Sequence, residues 1–174
     1  MKDSLISIFL VQLVCSLLLL PIGQCSSVFF PMDEKLIDQT CRKTPDYNLC
    51  TSILKSSPGK DLRGLAIVAI DAVGSKATTT MNRINELLKQ SPKDTALNHC
   101  HDMYNVILNS YVQGARDTLK RGFSSHIATS SMSLTPDTAR SCEEAFKGRS
   151  PLTNLNKDVE NIAAVAGAVA GQLP

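Results

Sequence analysis

The chain has 174 residues, of which 20% are charged, 5% aromatic and none tryptophan, and its formal net charge is +2. Near-neutrality without a stripe of Lys and Arg argues against a nucleic-acid partner, because phosphate binding needs clustered bases. The length suits a single domain with one core, and so few aromatic rings leave little on which a sugar could stack.

Lys2, the apolar run from Leu5 to Leu20, and the small residues Gly23 and Cys25 ahead of Ser26 stand in the order of a secretory signal, with cleavage expected after Cys25. A lipoprotein box would want a small residue where Gln24 stands. The run is shorter than the roughly 20 apolar residues of a membrane-spanning helix and ends at Pro21 and Gly23. Residues 1–25 are therefore read as signal peptide and 26–174 as the secreted, soluble domain. Lys2 and Asp3 leave together, so the net charge stays +2. Of the six cysteines, Cys15 and Cys25 go with the signal, and Cys41, Cys50, Cys100 and Cys142 enter an oxidising compartment, where two disulfides are expected. No Asn-x-Ser/Thr sequon occurs, so N-glycosylation is not expected.

In chain order, residues 32–57 read as a helical hairpin turning at Thr44-Pro45-Asp46, with Cys41 and Cys50 on either side. So short a piece cannot hold itself. Of the three connectivities open to four cysteines, we therefore take neighbour pairing: Cys41–Cys50 closes the small loop, worth about 2.5–3 kcal/mol in loop entropy, and Cys100–Cys142 closes the larger one, about 4 kcal/mol. Residues 60–174 read as four bundle helices. The first follows Asp61 as N-cap and carries Leu65, Ala69, Val73, Ala77, Met81, Ile84 and Leu88 at spacings of three and four, stopping at Ser91-Pro92. The second is expected from about Pro92 to Arg121, with Leu97, Tyr104, Leu108, Tyr111, Ala115 and Leu119 on one face and Gly122 as its cap. The third is expected from roughly Pro136 to Phe146. The last carries Leu155, Val159, Ile162, Ala166, Val169 and Leu173, with small residues from Ala163 to Ala170 that admit a close neighbour. The fold class is all-α: an up-and-down four-helix bundle preceded by a hairpin.

No catalytic apparatus emerges. His99, Cys100 and His101 are adjacent, so on a helix they point about 100° apart and cannot face one metal ion; Cys100 is read as a half-cystine beside two solvated histidines. His126 has no nucleophile or orienting acid near it in sequence. The pairs Asp33-Glu34 and Glu143-Glu144 read as solvated charges, and neither a Gly-x-Ser-x-Gly elbow nor a phosphate loop is present. No cofactor or metal is expected, and the work of the domain falls to a surface. The best candidate is Gly122 to His126, where Phe123 stands near Lys120 and Arg121 as an aromatic anchor beside positive charge. The competing reading, in which Phe123 pins the helix end into the core, is slightly preferred; Tyr104 and Tyr111 are read as packing.

The residues Thr40-Cys41-Arg42-Lys43-Thr44-Pro45-Asp46-Tyr47-Asn48-Leu49-Cys50, Lys60-Asp61-Leu62-Arg63-Gly64-Leu65-Ala66, Cys100 with Tyr104, Cys142-Glu143-Glu144-Ala145-Phe146-Lys147-Gly148, and Ser150-Pro151-Leu152-Thr153 resemble the plant invertase and pectin methylesterase inhibitors across nearly all of the mature chain. The resemblance implies a hairpin-plus-bundle fold with disulfides joining the first two and the next two of these cysteines. It also implies a non-enzymatic inhibitor in cell wall or vacuole that binds an acid β-fructofuranosidase and blocks its cleft. The alternatives are a pectin methylesterase target, or a family member with no target. Methylesterase inhibitors commonly carry a fifth cysteine in the last helix, and none lies between Cys142 and Pro174; the Thr-Pro-Asp-Tyr and Ser-Pro-Leu-Thr motifs also look more like the invertase inhibitors. In such inhibitors a Pro-Lys-Phe motif after the second bundle helix enters the target's active site. Here that stretch reads Leu119-Lys120-Arg121-Gly122-Phe123, which keeps the aromatic and the base but lacks the proline. The implied contact residues are Lys120, Arg121 and Phe123.

Overall fold

The computed structural model describes residues 31–57 and 59–174, so the signal reading of residues 1–25 lies outside the described residues. Two short helices, α1 (Pro31–Cys41) and α2 (Tyr47–Leu54), form a hairpin; α3 (Leu62–Gln90) is the first bundle helix. The second bundle helix is one rod in three parts: α4 (Thr95–Val106), a π-helical turn (Ile107–Val112) and α5 (Gln113–Lys120). Then come α6 (His126–Glu144) and α7 (Thr153–Ala170). The rod packs on α3 and α6, and α7 closes the ring between α6 and α3.

The helices start where side chains can satisfy free backbone N–H groups. Asp46, Asp61 and Asp94 accept from the N–H of Leu49, Gly64 and Leu97 at the heads of α2, α3 and α4. The seam read on α3 is the buried one: Leu65, Ala69, Val73, Ala77, Met81 and Ile84 are all in the core, and Leu88 packs at its edge. Cys41 is bonded to Cys50, tying α1 to α2, and Cys100 to Cys142, tying α4 to α6.

Two parts of the bundle depart from the sequence reading. The third bundle helix begins at His126 rather than near Pro136, which lies in its interior. An internal proline removes one N–H and crowds the carbonyl four residues back, at about 3 kcal/mol, and that penalty is why it reads as a start. The seam Ala128, Met132, Thr135, Ala139 and Cys142 nevertheless runs through it unbroken and buried. The hydroxyls of Thr129, Ser133, Thr135 and Thr138 turn back onto carbonyls four residues earlier, so this Ser/Thr-rich segment spends its polar groups inside its own helix.

The second departure is the π turn. The buried hydrophobic residues of the rod run Leu97, Cys100, Tyr104, Ile107 and then, five residues on, Val112, Ala115 and Leu119. A plain α-helix would put Leu108 and Tyr111 inward, as the sequence reading did; the wider turn leaves both half-buried and brings Val112 to α3. Gly74 makes room for it, since a Cβ there would stand 3.0 Å from Val112 Cγ1.

A polar chain, buried at Tyr104 and Asn156 and reaching the surface at Glu143 and Thr153, joins the rod, α6 and α7. The Tyr104 hydroxyl donates to Asn156 Oδ1 (2.8 Å), and Asn156 Nδ2 donates to Glu143 Oε2 (2.7 Å). The Thr153 hydroxyl donates to Glu143 Oε1. Glu143 is thus a clasp between the end of α6 and the start of α7, a correction to its reading as a solvated charge. Asn156 is 1% exposed, so Asn156→Ala leaves a buried phenol and a carboxylate oxygen short of a partner. It is expected to cost about 2 kcal/mol, measured by urea unfolding; a loss below about 0.5 kcal/mol would mean that water replaces the amide.

Burial works against the Glu143 charge, but hydrogen bonds from Thr153, Asn156 and Ser150 outweigh it and hold the carboxyl below its ordinary value of 4.5. A depressed carboxyl stabilises the fold above its unfolded pKa, and the gain is lost as pH falls through the folded value. The clasp is therefore intact at pH 5 and opens only below about 4.5. Melting temperature should fall as pH drops below that point, and less steeply in Glu143→Gln; parallel curves would assign the acid sensitivity to other groups.

Candidate functional site

The stretch from Lys120 to His126 links α5 to α6. Gly122 takes φ +75°, a left-handed conformation that costs glycine nothing. The N–H of Gly122 bonds to the Leu119 carbonyl and that of Phe123 to the Thr118 carbonyl, both at 3.1 Å, which closes the helix end. Arg63, near the head of α3, reaches across: its Nη1 donates to the Phe123 carbonyl at 3.1 Å and, more weakly, to the Leu119 carbonyl at 3.4 Å. A cation at the negative end of a helix is favourable. On the other side, the Ser125 hydroxyl donates to the Leu173 carbonyl, anchoring the loop to the tail that follows α7.

This backbone frame turns Phe123 outward. Its ring is 59% exposed, so the preferred sequence reading, a ring packed into the core, is corrected: the glycine cap and Arg63 fix the main chain without using the side chain. Lys120, Arg121 and His126 are exposed around it. From Thr118 to Pro136 the sequence holds no acidic residue. Beside the loop, an open polar groove of about 480 Å³ between α3 and the π turn with α5 includes Asp71, Thr78, Gln113, Arg116, Asp117 and Lys120 in its lining. Asp71 and Arg116 pair there, Oδ1 to Nε, at 2.8 Å.

The other residues singled out from sequence have structural partners. His99 is half-buried rather than solvated, with Nε2 3.0 Å from the Ser141 hydroxyl beside the Cys100–Cys142 bond. His101 meets Asn105. Among the described residues no three His, Cys, Asp or Glu side chains are gathered where one ion could bind, and no helix is long and apolar enough to cross a membrane. Tyr104 is fully buried, and burial pushes its phenol far above the ordinary value, so it acts as a neutral donor. Arg63 was missed in the sequence, because its role depends on a fold contact some sixty residues away.

The family model described as plant invertase/pectin methylesterase inhibitor matches residues 35–169. The chain belongs to that family. The cell wall/vacuolar inhibitor of fructosidase 1 of Arabidopsis thaliana is 37% identical over 141 residues, 79% of this chain and 68% of the relative. The pectinesterase inhibitor of Actinidia deliciosa is 30% identical over 148 residues, 82% of this chain and 78% of the relative. A crystal structure of a mutant form of a pectin methylesterase inhibitor from Arabidopsis superposes with a TM-score of 0.68 at 22% identity, covering 79% of this chain and 97% of that one, which establishes the shared helical fold. These inhibitors of invertase and pectin methylesterase are not enzymes, and the all-α fold, tied in this chain by two disulfides, is that of the family.

Proposed function

We propose that the protein is a secreted inhibitor of plant acid invertase that forms a 1:1 complex and blocks the target's active-site cleft with the loop between α5 and α6. The observation that carries this is the outward Phe123 beside Lys120 and Arg121, on a backbone held by Gly122 and Arg63. Glycoside hydrolysis is run by two carboxylates, so a cation and an aromatic ring entering such a cleft meet charges and apolar walls of the right kind. Because the loop is already fixed, little ordering entropy is lost on docking.

The relative of higher identity, named for fructosidase, points the same way. The second reading, a pectin methylesterase inhibitor, draws on the Actinidia relative. The site of action is the cell wall or the vacuole, reached after removal of residues 1–25.

The deciding experiment titrates the oxidised protein against a plant acid invertase and, separately, a plant pectin methylesterase near pH 5. Stoichiometric loss of sucrose hydrolysis with the esterase untouched is expected. The reverse moves the target to pectin, and inhibition of neither overturns the reading.

A further inference from the structure

Large apolar side chains stand exposed at Tyr47, Phe123, Ile127 and Leu134 among the described residues. Tyr47 is otherwise engaged: its hydroxyl donates to Asp38 (2.8 Å) and Arg42 lies over its ring. The remaining three fall within twelve residues of one another, at 59%, 54% and 50% exposure. On α6, Ile127, Ser130 and Leu134 recur at three and four and so share one face, turned more than about 100° from the buried seam. Ile127 and Leu134 stand about 10 Å apart along the axis. The patch follows the α5–α6 loop directly in the chain, and between Asp117 and Asp137 the only ionisable side chains are the basic Lys120 and Arg121 and the imidazole of His126.

We propose that the surface meeting the target enzyme extends from the loop along the outer face of α6 through Ile127, Ser130 and Leu134, which seat on the rim of the target's carboxylate-lined cleft. This deepens the functional reading above and rests on it. Size is the first argument: a specific interface buries about 800 Å² per partner, more than the five-residue linker between α5 and α6 can supply. The neighbouring exposed apolar groups lie on this face of α6. Sign is the second: a stretch free of acids from Thr118 to Pro136 can approach a cleft of carboxylates without meeting like charge. The third is form, since apolar anchors framed by polar and basic groups on a rigid helix are what interface cores are made of.

The test is a set of invertase titrations with the wild-type protein, Phe123→Ala, Ile127→Asp, Leu134→Asp and, as control on the outer face of α3, the exposed Asn82→Asp. Melting temperature and sedimentation are followed for each. Ile127→Asp and Leu134→Asp are expected to raise the inhibition constant at least 10-fold with unchanged melting temperature, and Asn82→Asp to leave it alone. A conservative Leu134→Met should inhibit as the wild type does. Wild-type potency in both aspartate variants, with Phe123→Ala impaired, overturns the extended surface and leaves the loop standing. Impairment of the aspartate variants alone removes the loop and keeps the face. Self-association of the wild type that the aspartates abolish while inhibition survives would make the face a contact between copies and end the proposal. Failure of the wild type to inhibit invertase at all ends it together with the functional reading.

Discussion

Replacing Phe123 and Lys120 together by alanine is expected to raise the inhibition constant for acid invertase about 100-fold, which corresponds to roughly 3 kcal/mol of binding free energy. An aromatic that serves as an interface hot spot is worth about 2 kcal/mol or more, and a desolvated cation beside it about 1 more. The fold should be untouched. Phe123 is 59% exposed, and the interactions that hold the loop do not involve its ring: they run through the Gly122 turn, the Thr118 carbonyl, the Arg63 guanidinium and the Ser125 hydroxyl. Melting temperature is therefore the control that separates a lost contact from a lost structure. Salt separates the two residues: Lys120→Ala should slow association mainly at low ionic strength, whereas Phe123→Ala should speed dissociation at any salt. A double variant that inhibits as well as the wild type would remove the loop from the mechanism.

The same residues show what could be read from sequence. Leu65 to Ile84 at spacings of three and four announce the buried face of α3, because a straight helix with a regular seam has no other way to bury it. Leu97, Tyr104, Ala115 and Leu119 of the rod were legible as core, and the misreading of Leu108 and Tyr111 as inward begins at Ile107. Beyond it one extra residue per turn shifts the register, and the signal for that is a single five-residue gap to Val112, whose reason, the absent side chain of Gly74, lies on another helix. Likewise Pro136 carries a strong local meaning that tertiary burial of Met132, Thr135 and Ala139 overrides. Glu143 could not be told from its neighbour Glu144, since only the start of α7 decides which carboxylate finds Thr153 and Asn156. At the candidate site the residue types were legible and the exposure was not: whether Phe123 points in or out depends on Arg63, which arrives from α3.

Removing the Cys100–Cys142 bond by replacing both residues with alanine is expected to cost about 4 kcal/mol, since the bond closes a loop spanning 42 residues. For a domain of this size that is roughly 10–15 °C in melting temperature. Alanine is the right replacement because both sulfurs lie in the core and serine would bury an unpaired hydroxyl. The effect should be global: the bond holds α4 to α6 at the same level as the His99–Ser141 contact, and α6 also carries the seam on which α7 packs through Met132 and Gly167. Removing Cys41–Cys50, which spans 9 residues, should cost about 2.5 kcal/mol or less. That loss should be felt first in the hairpin, which touches the bundle through Leu54 in the core and the Gln172 amide on the Thr40 carbonyl. Hydrogen exchange distinguishes the two cases: the first variant should speed exchange throughout α3 to α7, the second chiefly in α1 and α2. If the larger loop proves worth less than about 1 kcal/mol, the reduced chain already holds α4 against α6, and the bundle's side-chain packing, not the covalent tie, sets the register on which the loop and the α6 face are presented.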